Sequence, residues 1–302
     1  MNEAAPADDS FHEPAGSDPF WTETSWYAFS IPERRLTGAV YPVFRPNQGV
    51  CSAGVYVWDD SADSLHAIRY ARNWWHLPMP DHDLTELDLP NGLSYRTLEP
   101  LKRYAVRYDD GSELSLDLEY EALHAPHAPM LGATGHLDQA CRVTGSIRLH
   151  GDELVVDGFE MRDRSWSVRK DVGPVRAGYS YLVGADRALL AMSIWGGDTY
   201  FVMSGYHLIE GDLVAVTGGS RRVERDSHGR PAKVQLSVTD AAGRRLEVTG
   251  TCVNRFAFQS SPNYFAWMSM ADWELEGEHL FGEDQDVWSP DLLRQAQRQG
   301  YG

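Results

Sequence analysis

The feature that most constrains this chain is a succession of short alternating segments, broken by turn residues roughly every eight to twelve positions. The clearest case is Leu101–Tyr108, then Asp109-Asp110-Gly111-Ser112, then Glu113–Glu121. In its second limb Leu114, Leu116 and Leu118 alternate with Ser115, Asp117 and Glu119, so one face meets a core and the other meets water. The same pattern pairs Arg142–Leu149 with Glu153–Phe159 and Arg176–Val183 with Ala188–Trp195. It recurs in Thr199–Leu208 with Asp212–Thr217, and in Lys233–Thr239 with Arg244–Cys252. No helical run separates these hairpins, which argues for a barrel or sandwich and against an α/β enzyme. One helix is expected, where Ser289-Pro290-Asp291 supplies a cap oxygen and a first-turn proline ahead of Leu292–Arg298.

Strand counting sets the domain organisation. About seven or eight candidates precede residue 165 and about seven follow it, in a chain of 302 residues. A closed barrel that holds a small ligand needs roughly eight strands, so two barrel-like halves in tandem fit better than one sheet. The expected division is a disordered acidic tail over 1–17, an N-terminal domain over 18–160 and a C-terminal domain over 161–302. The Pro- and Asp-rich stretch 72–92 reads as a long connection or lid.

The formal charge of −17 repels phosphate backbones and anionic lipid, so neither nucleic acid nor a membrane surface is an expected partner. No stretch approaches 18 apolar residues, so no membrane span is expected. The first 18 residues lack the basic start and apolar run of a secretory signal, and a cytoplasmic location is the reading. Cys51, Cys141 and Cys252 are far apart and read as buried thiols. The expected partners are an apolar small molecule and a second copy of the chain in a homodimer.

Cofactor signatures are missing: there is no glycine-rich nucleotide loop, no Gly-x-Ser-x-Gly elbow and no His-Glu-x-x-His pair. His124-x-x-His127, and His76 with Asp81-His82-Asp83, lie in Pro-rich loops where polar surface residues are common. No metal and no cofactor are expected, and function must rest on a shaped pocket and its acid–base groups.

The most informative segment is 158–170, which packs Glu160, Arg162, Asp163, Arg164, Arg169 and Lys170 around Trp166. In a strand, Arg162, Arg164 and Trp166 share one face, and Asp163 and Ser165 share the other. The charges can form an ion-pair network plugged by Trp166, or they can serve chemistry. Asp163 is the candidate acid, with Glu160 as a weaker rival. Two neighbouring arginines would push its pKa down, which favours an ion-pair anchor over a proton donor.

The run Arg162-Asp163-Arg164-Ser165-Trp166-Ser167-Val168-Arg169 resembles the Arg-Asp-His-Ser-Trp-Gly-x-Arg signature of a two-domain calycin family. Its best-known members are the carotenoid 1,2-hydratases, or hydroxyneurosporene synthases. The resemblance extends to Trp21-x-Glu23, Val55-Tyr56-Val57-Trp58-Asp59 and Gly282-Glu283-Asp284-Gln285-x-Val287-Trp288. It implies an all-β fold of two tandem lipocalin-like barrels, enclosing an apolar site near their junction. It also implies cofactor-free hydration of an isoprenoid double bond, or cyclisation as in related fungal enzymes. Two functional positions of the hydratases fall on Arg164, which is His in that family, and on Trp166. The strand Leu189–Ile194 stands where the hydratases carry Tyr-x-Asp, and it has neither residue.

Trp166 suits a developing cation, because an indole face stabilises one by up to about 2 kcal/mol when desolvated. Arg164 cannot be an acid or base, but it can hold a carboxylate or polarise a carbonyl, which points to an oxygenated substrate. Trp195, Tyr206, Tyr264 and Trp267 are candidate pocket walls, and His207 a candidate titratable partner. The expected function is hydration, isomerisation or cyclisation of a terpenoid, steroid or polyketide-like molecule. The competing class is a non-catalytic carrier of such a ligand.

Overall fold

The computed structural model describes residues 3–261 and 263–301. The chain forms two compact units. The first comprises the chain up to Ile31, Thr37–Val57 and Arg69–Lys170, and the second comprises Pro32–Leu36, Trp58–Ile68 and the chain from Asp171 onward. Both are built almost wholly from antiparallel strands, and the architecture fits two tandem lipocalin-like domains.

The first sheet contains β1 (Trp21–Ile31), β2 (Leu36–Arg45), β3 (Val50–Trp58), β4 (Tyr70–Pro78), β5 (Glu86–Asp88) and β6 (Leu93–Glu99). It continues with β7 (Arg103–Asp109), β8 (Leu114–Ala122), β9 (His127–Met130), β10 (Gly135–Leu149) and β11 (Asp152–Val168). Their spatial order is β4-β3-β2-β1-β11-β10-β8-β7-β6-β5, with β9 also on β10, giving a half-barrel. The Asp109–Ser112 turn forms as its sequence dictates. The Asp110 carboxylate accepts the backbone N–H groups of Ser112, Glu113 and Leu114, and Gly111 takes the left-handed conformation at φ 81°.

The second sheet contains β12 (Arg176–Val183), β13 (Arg187–Trp195), β14 (Tyr200–Ile209), β15 (Asp212–Arg225) and β16 (Pro231–Asp240). It continues with β17 (Arg245–Cys252), β18 (Phe256–Ser261), β19 (Tyr264–Leu275) and β20 (Glu278–Trp288). Pairing of β17 with β19 closes eight of these strands into a barrel. One end of its interior is apolar, with Leu189, Val234, Leu236, Trp273 and Leu275 buried together. The helix α1 (Pro290–Gln299) begins at the expected proline, but the Ser289 hydroxyl makes no cap bond and instead accepts the Val175 N–H.

Three expectations are corrected. The acidic stretch 1–17 does not behave as a free tail where it is described. Pro6–Asp9 forms a 3-10 turn, and Asp9 is buried against the half-barrel. Its carboxylate accepts hydrogen bonds from the Leu101 N–H (2.6 Å), the Tyr104 hydroxyl (3.1 Å) and Arg162 Nη2 (3.2 Å). Acidic composition signals disorder only when no buried cation waits for it. The boundary at 160/161 also moves, because β11 runs unbroken from Asp152 to Val168 and the units divide after Lys170. The supposed connection 72–92 holds most of β4 and all of β5; Pro78 ends β4, and Pro80 and Pro90 lie outside the strands.

Candidate functional site

Strand β11 carries the site, and its two faces are built in opposite ways. Arg162, Arg164 and Trp166 share one face, as alternation requires. Each arginine meets a buried carboxylate there. Arg162 Nη2 lies 3.2 Å from Asp9, while its Nε donates to Gln139 Oε1 at 2.8 Å. Arg164 Nη2 donates to Glu23 on β1 at 2.6 Å, and its Nη1 donates to the Asp9 carbonyl at 2.9 Å. The guanidinium of Arg162 lies 3.9 Å from the centroid of the Tyr104 ring. Burial lowers and the surrounding negative groups raise the Arg162 pKa, and the net direction is upward. Arg162 therefore keeps its charge.

Trp166 is fully buried beside Trp21, Ala128 and Leu137. Its indole N–H donates to the Gly132 carbonyl at 3.1 Å, and the His12 ring stacks on it at 3.7 Å. Opposite it on β10 stands Gly135, where any Cβ would sit 2.1 Å from the indole. Only glycine lets the ring lie flat there.

The other face presents Asp163. Directly across it stand Trp26 on β1 and Asp138 on β10. One pleat along, Ser165 faces Thr24 and His136, with 2.8 Å between the Ser165 and Thr24 hydroxyl oxygens. Arg169 also donates to the Ser165 hydroxyl. His136 Nε2 lies 2.9 Å from the Asp138 carboxylate. Burial opposes a charge on that imidazole, but the charge and hydrogen bond of Asp138, with Asp163 adding, raise its pKa.

Asp163 itself is half-buried. Burial pushes its carboxyl up to about 6; His136 opposes the shift, Asp138 reinforces it, and Arg169 and Arg162 oppose it. The expected lowering of its pKa by the flanking arginines is therefore reversed. The strand aims Arg162 and Arg164 at the opposite face, where Asp9 and Glu23 neutralise them. What remains beside Asp163 is a desolvated carboxyl with a second carboxylate across the ladder. Glu160, the rival, is buried one face over, opposite Cys141.

The five expected substrate contacts do not converge. Trp195 stands at one end of the barrel, its ring 3.5 Å from the Arg176 guanidinium, beside a cavity of about 220 Å³. Trp267 pairs across the ladder with Asp286 near that same end. Tyr264 begins β19, opposite Ser261. Tyr206 is buried opposite Leu190, a residue of the barrel's outer face, and His207 lies toward the other end. His207 Nδ1 is 3.3 Å from Asp240, and burial is the main cause lowering its pKa. His136 and Asp138 were missed by reading the sequence. Their signal was the His-x-Asp alternation on a strand paired with the central segment.

His124 is no metal ligand here: its Nδ1 donates to the Ala125 carbonyl and its Nε2 accepts the Ala140 N–H. Among the described residues no group of three or more His, Cys, Asp or Glu could hold a metal ion. The three cysteines are buried and free. No helix of the described residues is long and apolar enough to cross a membrane.

A family model described as a domain of unknown function (DUF7064) matches residues 5–283. The chain belongs to that family. No curated protein sequence matches it. Among solved structures, a protein of Nitrosomonas europaea described as AttH is similar at TM-score 0.67 and 14% identity, covering 95% of this chain and 97% of that one. Kievitone hydratase from Nectria haematococca is similar at TM-score 0.55 and 12% identity, covering 96% and 95%. The protein CghA is similar at TM-score 0.59 and 11% identity, covering 93% of each chain. At these identities the likeness is one of fold.

Proposed function

We propose that this protein is a cofactor-independent enzyme in which Asp163 protonates a carbon–carbon double bond of an apolar terpenoid, steroid or polyketide-like substrate. The observation that carries this reading is a half-buried carboxyl whose pKa stands near 6, with both neighbouring arginines turned away and paired elsewhere. In hydration, the Asp163 proton goes to one alkene carbon and the other becomes a carbocation. Water adds to that cation, and its surplus proton returns to the carboxylate. Loss of a different proton gives isomerisation instead, and attack by a second double bond gives cyclisation.

Trp26, opposite Asp163, offers an indole to the developing cation. Asp138 adds to the burial that raises the Asp163 pKa, while His136, held by Asp138, limits the rise. Arg164 and Trp166 act as positioning residues, fixing β11 through Glu23 and the N-terminal segment. The fold shared with a protein named as a hydratase supports hydration as the first reaction to assay. The resemblance of residues 162–169 to the carotenoid hydratases adds isoprenoids to the substrate classes.

The test is mass spectrometry of apolar molecules that copurify with the protein, followed by incubation of each with wild type and Asp163→Asn. The proposal expects a product from wild type and retained binding without turnover in the variant. A bound ligand that yields no product at any pH between 5 and 8 would identify a carrier and overturn the proposal.

A further inference from the structure

The closed barrel holds a second set of buried charges, remote in sequence from β11. Arg221 donates through Nη2 to Asp284 at 2.6 Å and lies 3.3 Å from Asp286. Arg225 lies 2.8 Å from Asp286, whose other contacts are the Tyr200 hydroxyl at 3.2 Å and the Trp288 indole N–H at 2.7 Å. Gly178 makes room for Arg221, since a Cβ there would lie 2.6 Å from its Nε. Arg176 joins the group through its Nε, which donates to the Tyr200 hydroxyl at 3.0 Å. Three guanidiniums, Arg176, Arg221 and Arg225, thus meet two carboxylates, Asp284 and Asp286. Among the described residues, one guanidinium, that of Arg176, is left without a carboxylate partner.

That guanidinium sits at a cavity. Arg176 lies between two indoles, 3.5 Å from the centroid of Trp195 and 4.2 Å from that of Trp288. The three side chains, with Leu292 and Ala296 of α1 and Tyr301, line a partly open space of about 220 Å³. Arg176 spends Nε on Tyr200 and one Nη2 hydrogen on the Tyr301 carbonyl at 2.5 Å. Nη1 makes no hydrogen bond among the described residues, so it and the second Nη2 hydrogen form an open fork for a carboxylate. An apolar cavity of roughly 150 Å³ accepts benzene, so this larger one has room for two fused rings.

We infer that the helix-capped end of the barrel is a binding site for a monoanionic, aromatic or fused-ring carboxylate. Its acid group lies on Arg176, and its ring lies among Trp195, Trp288 and Leu292. The ligand supplies the missing negative charge, and the aromatic walls supply apolar contact. The inference rests on the barrel alone and does not depend on the reaction assigned to Asp163.

Isothermal titration calorimetry with 2-naphthoate and its neutral analogue 2-naphthylmethanol tests it. Expected are saturable one-to-one binding of the acid and at least tenfold weaker binding of the alcohol. Arg176→Gln should weaken the acid at least tenfold and leave the alcohol unchanged. Leu292→Trp, which fills the cavity and leaves every charge in place, should weaken both; it decides the matter if Arg176→Gln does not fold. Absence of saturable binding by the acid, equal affinity for acid and alcohol, or full affinity in Leu292→Trp would overturn the inference.

Discussion

The two faces of β11 bury charge to opposite ends. On one face Arg162 and Arg164 each meet a carboxylate, Asp9 and Glu23, and every charge is cancelled within hydrogen-bond reach. On the other, Asp163 is desolvated beside Asp138, and His136, which opposes its raised pKa, is already engaged by that second carboxylate. The first arrangement holds residues 6–12 against the sheet. The second raises the pKa of Asp163, the feature on which the proposed proton transfer rests. A buried charge with its partner is architecture; a buried acid without one is chemistry. The barrel repeats the contrast, with Arg221 cancelled by Asp284 and Arg176 left open at a cavity.

The sharpest way to break this comparison is to replace one residue on each face. Asp163→Asn should lower turnover of the natural substrate by about 10²- to 10⁴-fold, the usual worth of a general acid, with binding retained. The wild-type rate should fall as pH rises above about 6, because the donor then loses its proton, and Asp163→Asn should lack that limb. Turnover assays across pH check both.

On the opposite face Arg164→Met strands Glu23 in the interior, and urea denaturation should show a loss of about 3–5 kcal/mol. Asp163→Asn should show no such loss. Its stability effect has the opposite sign. The folded pKa of Asp163 lies above the ordinary value, so between about pH 4 and pH 6 the folded state binds the extra proton and wild-type stability falls as pH rises. Asp163→Asn should therefore be more stable than wild type at pH 7 by on the order of 2 kcal/mol, with the gap closing below about pH 4. His136 does not confuse that window: its raised pKa gives stability that is lost only as pH climbs through a higher range. The smallest effect belongs to His12→Ala, which removes the ring stacked on Trp166. Thermal unfolding should register a loss of about 1 kcal/mol, the worth of one aromatic pair, with Asp163 chemistry unchanged.

Much of the fold was legible because antiparallel hairpins write themselves locally. The Leu114–Leu118 alternation, the Asp110-Gly111 turn and the Ser289-Pro290 helix start all depend on neighbours a few residues away. The division of β11 into two faces was legible for the same reason. What was not legible depends on residues far along the chain. Asp9 reaches Arg162 across 153 positions, and Glu23 reaches Arg164 across 141. Without those partners the arginines read as free cations beside Asp163, and its pKa shift takes the wrong sign. His136 and Asp138 join the site only through the register of β10 on β11. The expected substrate walls are spread over the barrel for a related reason: aromatic residues mark strands well, but alternation alone does not say which end of a barrel each one reaches.

The most direct test of the account is a carboxyl-detected NMR titration of Asp163 in the native protein, assigned by comparison with Asp163→Asn. A midpoint near pH 6 is the predicted result. A midpoint at or below about 4, the value of a solvated or arginine-paired aspartate, would contradict it and return Asp163 to the role of an ion-pair anchor.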